Sequence, residues 1–237
     1  MTPADATVAQ EEYLESMFWL QEAGLPITGA NLARAMQLSP PTVHEMIGRL
    51  ESDGYVERAS DKSLSFTSQG RDEAEDVVYR HRLIERFLTD VLGIPWDEVH
   101  EEAERLEHAM SPVLQERMAV AIGDATTCPH GHPLRGVARE TGVLLADVEP
   151  GATVTVLRFE NEAEAILHYL KSTGIYPTLD ATLKSSGDDE VVLSSEEGEH
   201  AVSRDVADTV SVSADPAPEP RPPLPEQLEV SSDRYGR

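Results

Sequence analysis

Five of the eight histidines (His81, His100, His108, His130 and His132) fall within one stretch of 52 residues, with carboxylates beside them at helical spacing. His81 and Glu85 stand at i, i+4, one above the other on a helix face. His100, Glu104, Glu107 and His108 occupy an arc of roughly 100° on a second helical pattern. Imidazole and carboxylate without thiolate make a donor set for Mn²⁺, Fe²⁺, Co²⁺ or Zn²⁺. Glu12 and Glu15, at i, i+3 further upstream, share a face and can reach the same ion. Taken alone that pair is a solvated edge, as Glu98, Glu101 and Glu102 are. The run Cys128-Pro129-His130-Gly131-His132-Pro133 offers a soft ligand and two imidazoles in a compact loop, and its prolines and glycine fit an ordinary linker equally. Catalytic alternatives are thin. Glu104-Arg105-Leu106-Glu107-His108 is one substitution from the inverted zinc-protease pattern His-x-x-Glu-His, while nucleophile-elbow, phosphate-loop and dinucleotide glycine motifs are absent from the sequence.

These donors need elements to hold them. A helix opening at Trp96-Asp97 and running to about Met110 would carry Val99, Ala103, Leu106 and Met110 as an apolar stripe beside the His/Glu arc, so the arc borders the core. Upstream, Tyr13, Leu14, Met17, Phe18 and Gln21 mark an amphipathic helix over residues 8–23. Thr28 caps a short helix, and Gln37-Leu38-Ser39 makes a turn. Ser39 then caps a third helix with Pro40 and Pro41 in its first turn, where a missing N–H costs nothing. Val43, Met46, Ile47 and Leu50 form its buried stripe, leaving Thr42, His44, Glu45 and Arg49 outward. Tyr55–Arg58 and Leu64–Thr67, joined by a polar turn, predict a hairpin. Helix, short helix, turn, capped helix and hairpin compose a winged helix-turn-helix, which inserts its last helix into a DNA major groove. Its candidate DNA contacts are Ser39, Pro41, Thr42, His44, Glu45, Arg49, Arg58 and Lys62. The same elements also build protein-interaction modules, and residues 1–75 carry 13 acidic against five basic side chains.

Composition narrows the classes. The 237 residues carry a net charge of −25, which repels phosphate unless a cation or local patch compensates, and suits a cation-binding or salt-adapted protein. Hydrophobic content of 40% rules out wholesale disorder, and a single cysteine, Cys128, rules out a disulfide scaffold. No apolar run approaches the roughly 20 residues of a membrane helix, and the start lacks a secretory pattern, so a soluble cytoplasmic protein is expected. Alternating β-branched residues such as Ala152-Thr153-Val154-Thr155-Val156 follow the helical part, and from Ala214 the sequence turns Pro-rich.

Specific stretches resemble the DtxR family of metal-dependent repressors, the group of diphtheria toxin, iron-dependent and manganese transport regulators. They are Glu11-Glu12-Tyr13-Leu14, Leu38-Ser39-Pro40-Pro41-Thr42-Val43, Ser60-Asp61-Lys62-Ser63-Leu64, Tyr79–Leu88 and Glu107-His108-Ala109-Met110-Ser111, in family order across most of residues 8–135. The resemblance implies a mainly α chain with small β parts. Residues 1–75 would be the winged helix-turn-helix, 76–140 a helical metal-binding and dimerisation domain, 145–213 a FeoA-like small β-barrel, and 214–237 a disordered tail. By the same resemblance His81, Glu85 and His100 match the ancillary site of iron-type members, and Glu12, Glu104, Glu107 and His108 the other site. Iron-type members have methionine and cysteine where this chain has Glu12 and Glu104. Manganese regulators have carboxylates there and an acidic residue at Glu15. Mn²⁺ is therefore preferred, with Fe²⁺ as the alternative because His100 and the barrel are iron-type features. Glu162 and Glu164 are candidate barrel ligands, and Cys128 an accessory one. Ser39, Pro41 and Thr42 match positions that touch DNA, and Glu45 stands where the toxin repressor has a glutamine reader, which leaves the operator open. The implied protein is a homodimeric, metal-dependent repressor of metal-uptake or homeostasis genes, bound to double-stranded operator DNA, without membrane or catalytic role. A metal buffer or a metallohydrolase that ignores DNA is the alternative.

Overall fold

The computed structural model describes residues 6–217. Three helices open the chain: α1 (Val8–Glu22), α2 (Gly29–Ala35) and α3 (Pro40–Ser52). The local signals act as expected. Thr28 Oγ1 accepts from the Asn31 amide at 3.2 Å, and Ser39 Oγ from the Thr42 amide at 3.4 Å with Pro40 leading the helix. Val43, Ile47 and Leu50 are buried while Met46 is partly exposed. The antiparallel hairpin of β1 (Val56–Arg58) and β2 (Leu64–Phe66) closes this head around Leu14, Met17, Leu32 and Leu50.

From the hairpin α4 (Ser68–Asp90) runs unbroken, capped by Thr67 Oγ1 on the Gly70 amide at 3.0 Å. Its first turns pack in the head through Ala74. Later turns supply Leu83, Ile84 and Leu88 to a second core with Val99, Ala103 and Met118. The expected division after residue 75 thus falls inside one helix. Gly70 is required by contact: a Cβ there would sit 1.8 Å from the Tyr55 carbonyl oxygen.

The helix expected from Trp96 to Met110 is shorter. Residues 96–99 form turns, α5 spans His100–Glu107, and α6 (Pro112–Ala121) starts anew after a Ser111 cap. Trp96 and Asp97 are drawn elsewhere, Trp96 onto Phe159 with ring centroids 5.5 Å apart and Asp97 to Lys171 Nζ at 2.5 Å. Leu106 is 43% exposed and leaves the stripe that Val99 and Ala103 begin.

The β part is a six-stranded antiparallel sheet in the order β3-β8-β4-β5-β6-β7. Its strands are β3 (Val143–Leu144), β4 (Thr153–Phe159), β5 (Asp180–Ser186), β6 (Glu190–Ser195), β7 (Gly198–Ser203) and β8 (Val210–Asp215). The helix α7 (Glu164–Ser172) crosses after β4, and the short α8 (Arg204–Ala207) precedes β8. Alternation in β4 buries Val154 and Val156 against Leu167, Leu170 and Phe159. Ala214 and Asp215, expected in the tail, pair with Val154 and Thr153 as the end of β8; the tail from residue 218 lies outside the described residues.

The Gly70 contact predicts that Gly70→Ala lowers unfolding free energy by roughly 1–3 kcal/mol, the cost of overpacking against backbone. Urea titration of the metal-free protein measures it, and an unchanged midpoint would refute the contact.

Candidate metal centre

α4 carries His81 and Glu85 inward at the level where α1 crosses it, and both side chains are buried. His81 Nδ1 lies 2.6 Å from Glu107 Oε2 and 3.8 Å from Glu15 Oε1, which brings α1, α4 and α5 to one imidazole. Its Nε2 faces Glu85 Oε1 at 3.0 Å and His100 Nδ1 at 3.1 Å. His100 Nδ1 is 3.1 Å from Glu162 Oε2, and its Nε2 is 3.6 Å from Glu104 Oε1. On the far side of Glu85, His130 Nδ1 approaches Oε1 at 3.1 Å with the Cys128 sulfur beside it. Among the described residues three linked sets of potential ligand atoms lie here, each within 4.8 Å: Glu15/His81/Glu107, His81/Glu85/His100/Glu162 and Glu85/Cys128/His130; a fourth, Asp97/Glu98/His168, shares no residue with them. Sharing His81 and Glu85 joins the three into one ladder through the interior.

The loop from Cys128 reaches the ladder by docking on β4. The Phe159 amide donates to the His130 carbonyl at 3.0 Å, and a Cβ on Gly131, at φ +93°, would meet the Leu157 carbonyl oxygen at 1.9 Å. His130 Nε2 is 2.7 Å from the Trp96 carbonyl, which fixes the ring and leaves Nδ1 for the centre. Glu162 follows β4 in a turn held by Asn161 Oδ1 accepting from the Ala163 amide at 3.0 Å. Trp19 of α1 covers the ladder, its ring 5.6 Å from that of His81 and 6.0 Å from that of His100.

The charges balance one another. Burial disfavours the charged forms of His81 and His130. Glu85 and Glu107 outweigh it at His81, Glu85 and Glu162 at His130, and both titrate well above the usual imidazole range. At His100 burial is likewise outweighed, by hydrogen bonds to Glu162 and Glu85, and the ring is pushed up to about 9. His108, hydrogen-bonded to Glu107, also rises to about 9. Glu85 and Glu162, despite burial, are held well below the carboxylate range by His130 and other imidazoles, and Glu107 falls to about 2 through His81 and His108. Burial and then neighbouring Glu107 push Glu15 well upward. Burial raises the Cys128 thiol. Three buried ligand atoms, Glu15 Oε1, Glu85 Oε2 and His130 Nδ1, make no hydrogen bond. Unsatisfied atoms of the types that coordinate divalent cations, one in the Glu15 set and two in the Glu85/His130 set, fit ions that take over the protons' role.

Of the residues expected from sequence, the structure gathers Glu15, His81, Glu85, His100, Glu107 and Cys128, with Glu104 and His108 at the margins. Glu12 lies outside the three sets, one position round α1 from Glu11. Glu11 takes His108 Nδ1 at 2.7 Å and Arg80 Nη2 at 2.5 Å. Glu164 is half exposed beside His168 and in none of the ladder's sets, whereas Glu162 is in one. His130 was legible in the cysteine loop but not among the expected ligands. The centre is also not thiol-free, since Cys128 sits in one of its sets.

The other expected face is open. Ser39, Pro41, Thr42, His44, Glu45 and Arg49 are exposed along α3, and Arg58 and Lys62 on the hairpin. Arg49 pairs with Glu45 at 2.5 Å and Arg58 with Glu51 at 2.6 Å, so both cations are partly neutralised on the head.

A winged head fused to a buried His/carboxylate centre defines a metal-responsive DNA-binding regulator, and comparison with known proteins agrees. Residues 5–64 match the model of the iron-dependent repressor N-terminal DNA-binding domain, 67–135 its metal-binding and dimerisation domain, and 143–214 the FeoA domain. The iron-dependent repressor IdeR of Mycobacterium leprae is 32% identical over 206 residues, covering 80% of this chain and 89% of that protein. A manganese-dependent transcriptional repressor in complex with manganese superposes with TM-score 0.79 at 30% identity over 86% of this chain and 99% of that one. The IdeR of T. acidophilum does so at 0.73 and 27% identity, over 88% and 99%. The chain belongs to the DtxR family of iron- or manganese-dependent transcriptional repressors. These relatives are repressors rather than enzymes, which sets aside the hydrolase alternative.

In the metal-free protein, stability from protonated His100 and His108 is full below about pH 6.5 and lost as pH rises through about 9, because their folded values exceed the unfolded one. The melting temperature should therefore fall across that window without metal and fall less with it. Metal uptake near neutral pH should also release protons, read as calorimetric heats that change with buffer ionisation enthalpy. Equal heats in all buffers would contradict the assignment.

Proposed function

We propose that this chain is a cytoplasmic, Mn²⁺-activated repressor that binds operator DNA as a homodimer and controls metal-uptake or metal-homeostasis genes. One observation carries it: Glu15, on the leading helix of the DNA-binding head, is buried against His81 and Glu107 of the helical part. A ligand set drawn from both sides makes head position depend on occupancy. Glu15, His81 and Glu107, with Glu104 and His108 beside them, would hold the ion. Glu85, His100, Cys128, His130 and Glu162 would hold a second. When bound, a divalent cation would supply positive charge beside Glu15 and Glu107, two carboxylates buried together. Glu107 and His81 then orient Glu15 and with it α1. Gln10 Nε2 on that helix donates to Asp53 Oδ2 at 2.8 Å, at the C-terminal end of α3, so α1 and the recognition helix move together.

Oxygen and imidazole donors at Glu15, Glu104, Glu107 and His108 favour Mn²⁺. Cys128 in the neighbouring set, and the iron-dependent relatives, favour Fe²⁺ as the second reading. No helix among the described residues is long and apolar enough to cross a membrane. Val91, Leu92, Val113, Leu114 and Val120 are exposed on the end of α4, the turn after it and α6, an apolar surface that suits a second copy of the chain. Paired heads would then present two α3 helices to successive major grooves, roughly 34 Å apart.

Operator binding should be absent in chelator and appear with Mn²⁺, measured by anisotropy on DNA enriched by selection. Anaerobic Fe²⁺, Co²⁺ and Zn²⁺ at matched free concentrations give the rank order. Glu15→Gln should abolish that activation. Thr42→Ala and Arg49→Ala should each weaken DNA binding by about 1 kcal/mol, in the range of a single contact, and leave metal affinity unchanged. Retention in chelator would sink the proposal. Separately, Val113→Glu with Val120→Glu should yield monomers in light scattering; a persistent dimer would place the interface elsewhere.

A further inference from the structure

α1 passes the metal ladder at Glu15 and ends at Glu22, where it is held by charge. The Glu22 carboxylate accepts from both terminal nitrogens of Arg82 on α4, and its Oε2 lies 3.6 Å from Arg139 Nη1. Arg139 donates through Nη2 to Glu160 Oε2 at 2.6 Å, just beyond β4. Glu160 Oε1 also accepts from Arg158 Nε at 2.7 Å and from Ser211 Oγ at 2.5 Å. Arg82 donates in addition to the Pro133 carbonyl at 3.0 Å. The Arg82 side chain is 7% exposed, and those of Glu22 and Glu160 15% each. None of these groups belongs to the ladder's three sets, although His132 stands between them and the ladder, with Nδ1 3.1 Å from Arg139 Nη1 and Nε2 3.1 Å from Glu162 Oε1.

Buried ion pairs of this kind contribute little net stability against apolar packing, yet deleting one partner strands the other's charge. Their effect is to fix registry between the parts that supply them. Here the parts are the head, α4 and the β domain. Glu15 and Glu22 lie about 10 Å apart along α1 at helical rise. A helix pinned at one point can pivot, whereas two points fix its direction. We infer that Glu22, Arg82, Arg139 and Glu160 form a clasp through which the β domain sets the direction of α1, and hence of the DNA-binding head, by a route beside the metal ligands. The inference rests on the DNA-binding function proposed above. Glu22 and Arg139 are positioning residues that touch neither ion nor DNA.

The test uses the full chain with saturating Mn²⁺ and selected DNA. Arg139→Gln should weaken operator binding roughly two- to thirty-fold, the span over which one coupling residue modulates a linked site, without changing Mn²⁺ affinity or stoichiometry. Arg139→Lys, which keeps the charge, should bind closer to wild type. Glu160→Gln should reproduce Arg139→Gln, and Glu22→Gln combined with Arg139→Gln should be no weaker than the weaker single variant. Wild-type affinity in Arg139→Gln, additive losses in the double variant, or parallel loss of Mn²⁺ binding would each overturn the clasp. Hydrogen exchange separates this from failure of the DNA-binding proposal. Even if the wild type ignored DNA, Arg139→Gln should speed exchange in the last turn of α1 and leave the turn around Glu15 unchanged; equal exchange in both proteins would refute it.

Discussion

Glu85 is the group on which the centre depends. It is fully buried on α4, and an isolated carboxylate there would cost several kcal/mol or more to keep ionised. It stays ionised because His81, His100 and His130 approach it from three different parts of the chain. His130 is delivered by a loop that docks on the β domain, and His100 by the first residue of α5. Each needs its own backbone anchor, so a single charge specifies how helical part, loop and sheet must meet. Glu162 repeats the logic from the sheet side, facing His100, His130 and His132.

The acidity of the chain has a place in the same physics. A net charge of −25 opposes DNA binding, and the head's own Glu45 and Glu51 occupy Arg49 and Arg58. Affinity for phosphate must therefore come from geometry that lets several weak contacts form together, with a cation reducing the charge near the heads. Such a head binds poorly until it is oriented, and a low basal affinity is what a metal-gated regulator needs. A strongly basic head would bind whether or not the centre was filled.

Much of this was legible in sequence where the signal was local. Ser39 with Pro40, Thr28, and the stripe Val43/Ile47/Leu50 each act through neighbours a few residues away, and the head follows from them. His81 and Glu85 were legible for the same reason, being one turn apart. The illegible parts depend on distant contacts. The start of α5 moved to His100 because Trp96 and Asp97 bond to the β domain, which no helical periodicity records. His130 reaches the ladder through the docking of Gly131 on β4, at which only the Cys-Pro-His-Gly-His composition hinted, whereas Glu162 was a candidate through the family resemblance alone. Glu11 and Glu12 differ by one position in sequence but by about 100° around α1, enough to decide which one His108 meets.

α4 explains why metal chemistry can be felt at the recognition helix. It is a single element of 23 residues whose early turns lie in the head's core and whose later turns carry His81, Arg82 and Glu85. A rigid rod of this kind would hold the head still whatever the ion did, were α1 not packed beside it as a separate helix with its own attachments. The groups that bridge α1 and α4 beyond the head's core include polar pairs: Glu15 to His81, Glu11 to Arg80 and Glu22 to Arg82. Apolar contacts change little with the arrival of an ion, whereas Glu15 and Glu107, two carboxylates buried together, respond directly to an added positive charge. A ligand shifts an equilibrium only by its differential affinity for the two arrangements. Placing one acidic donor, Glu15, on α1 and the rest on the α4–α5 side would give this chain that difference, because an ion held by both sides would favour the arrangement in which they meet.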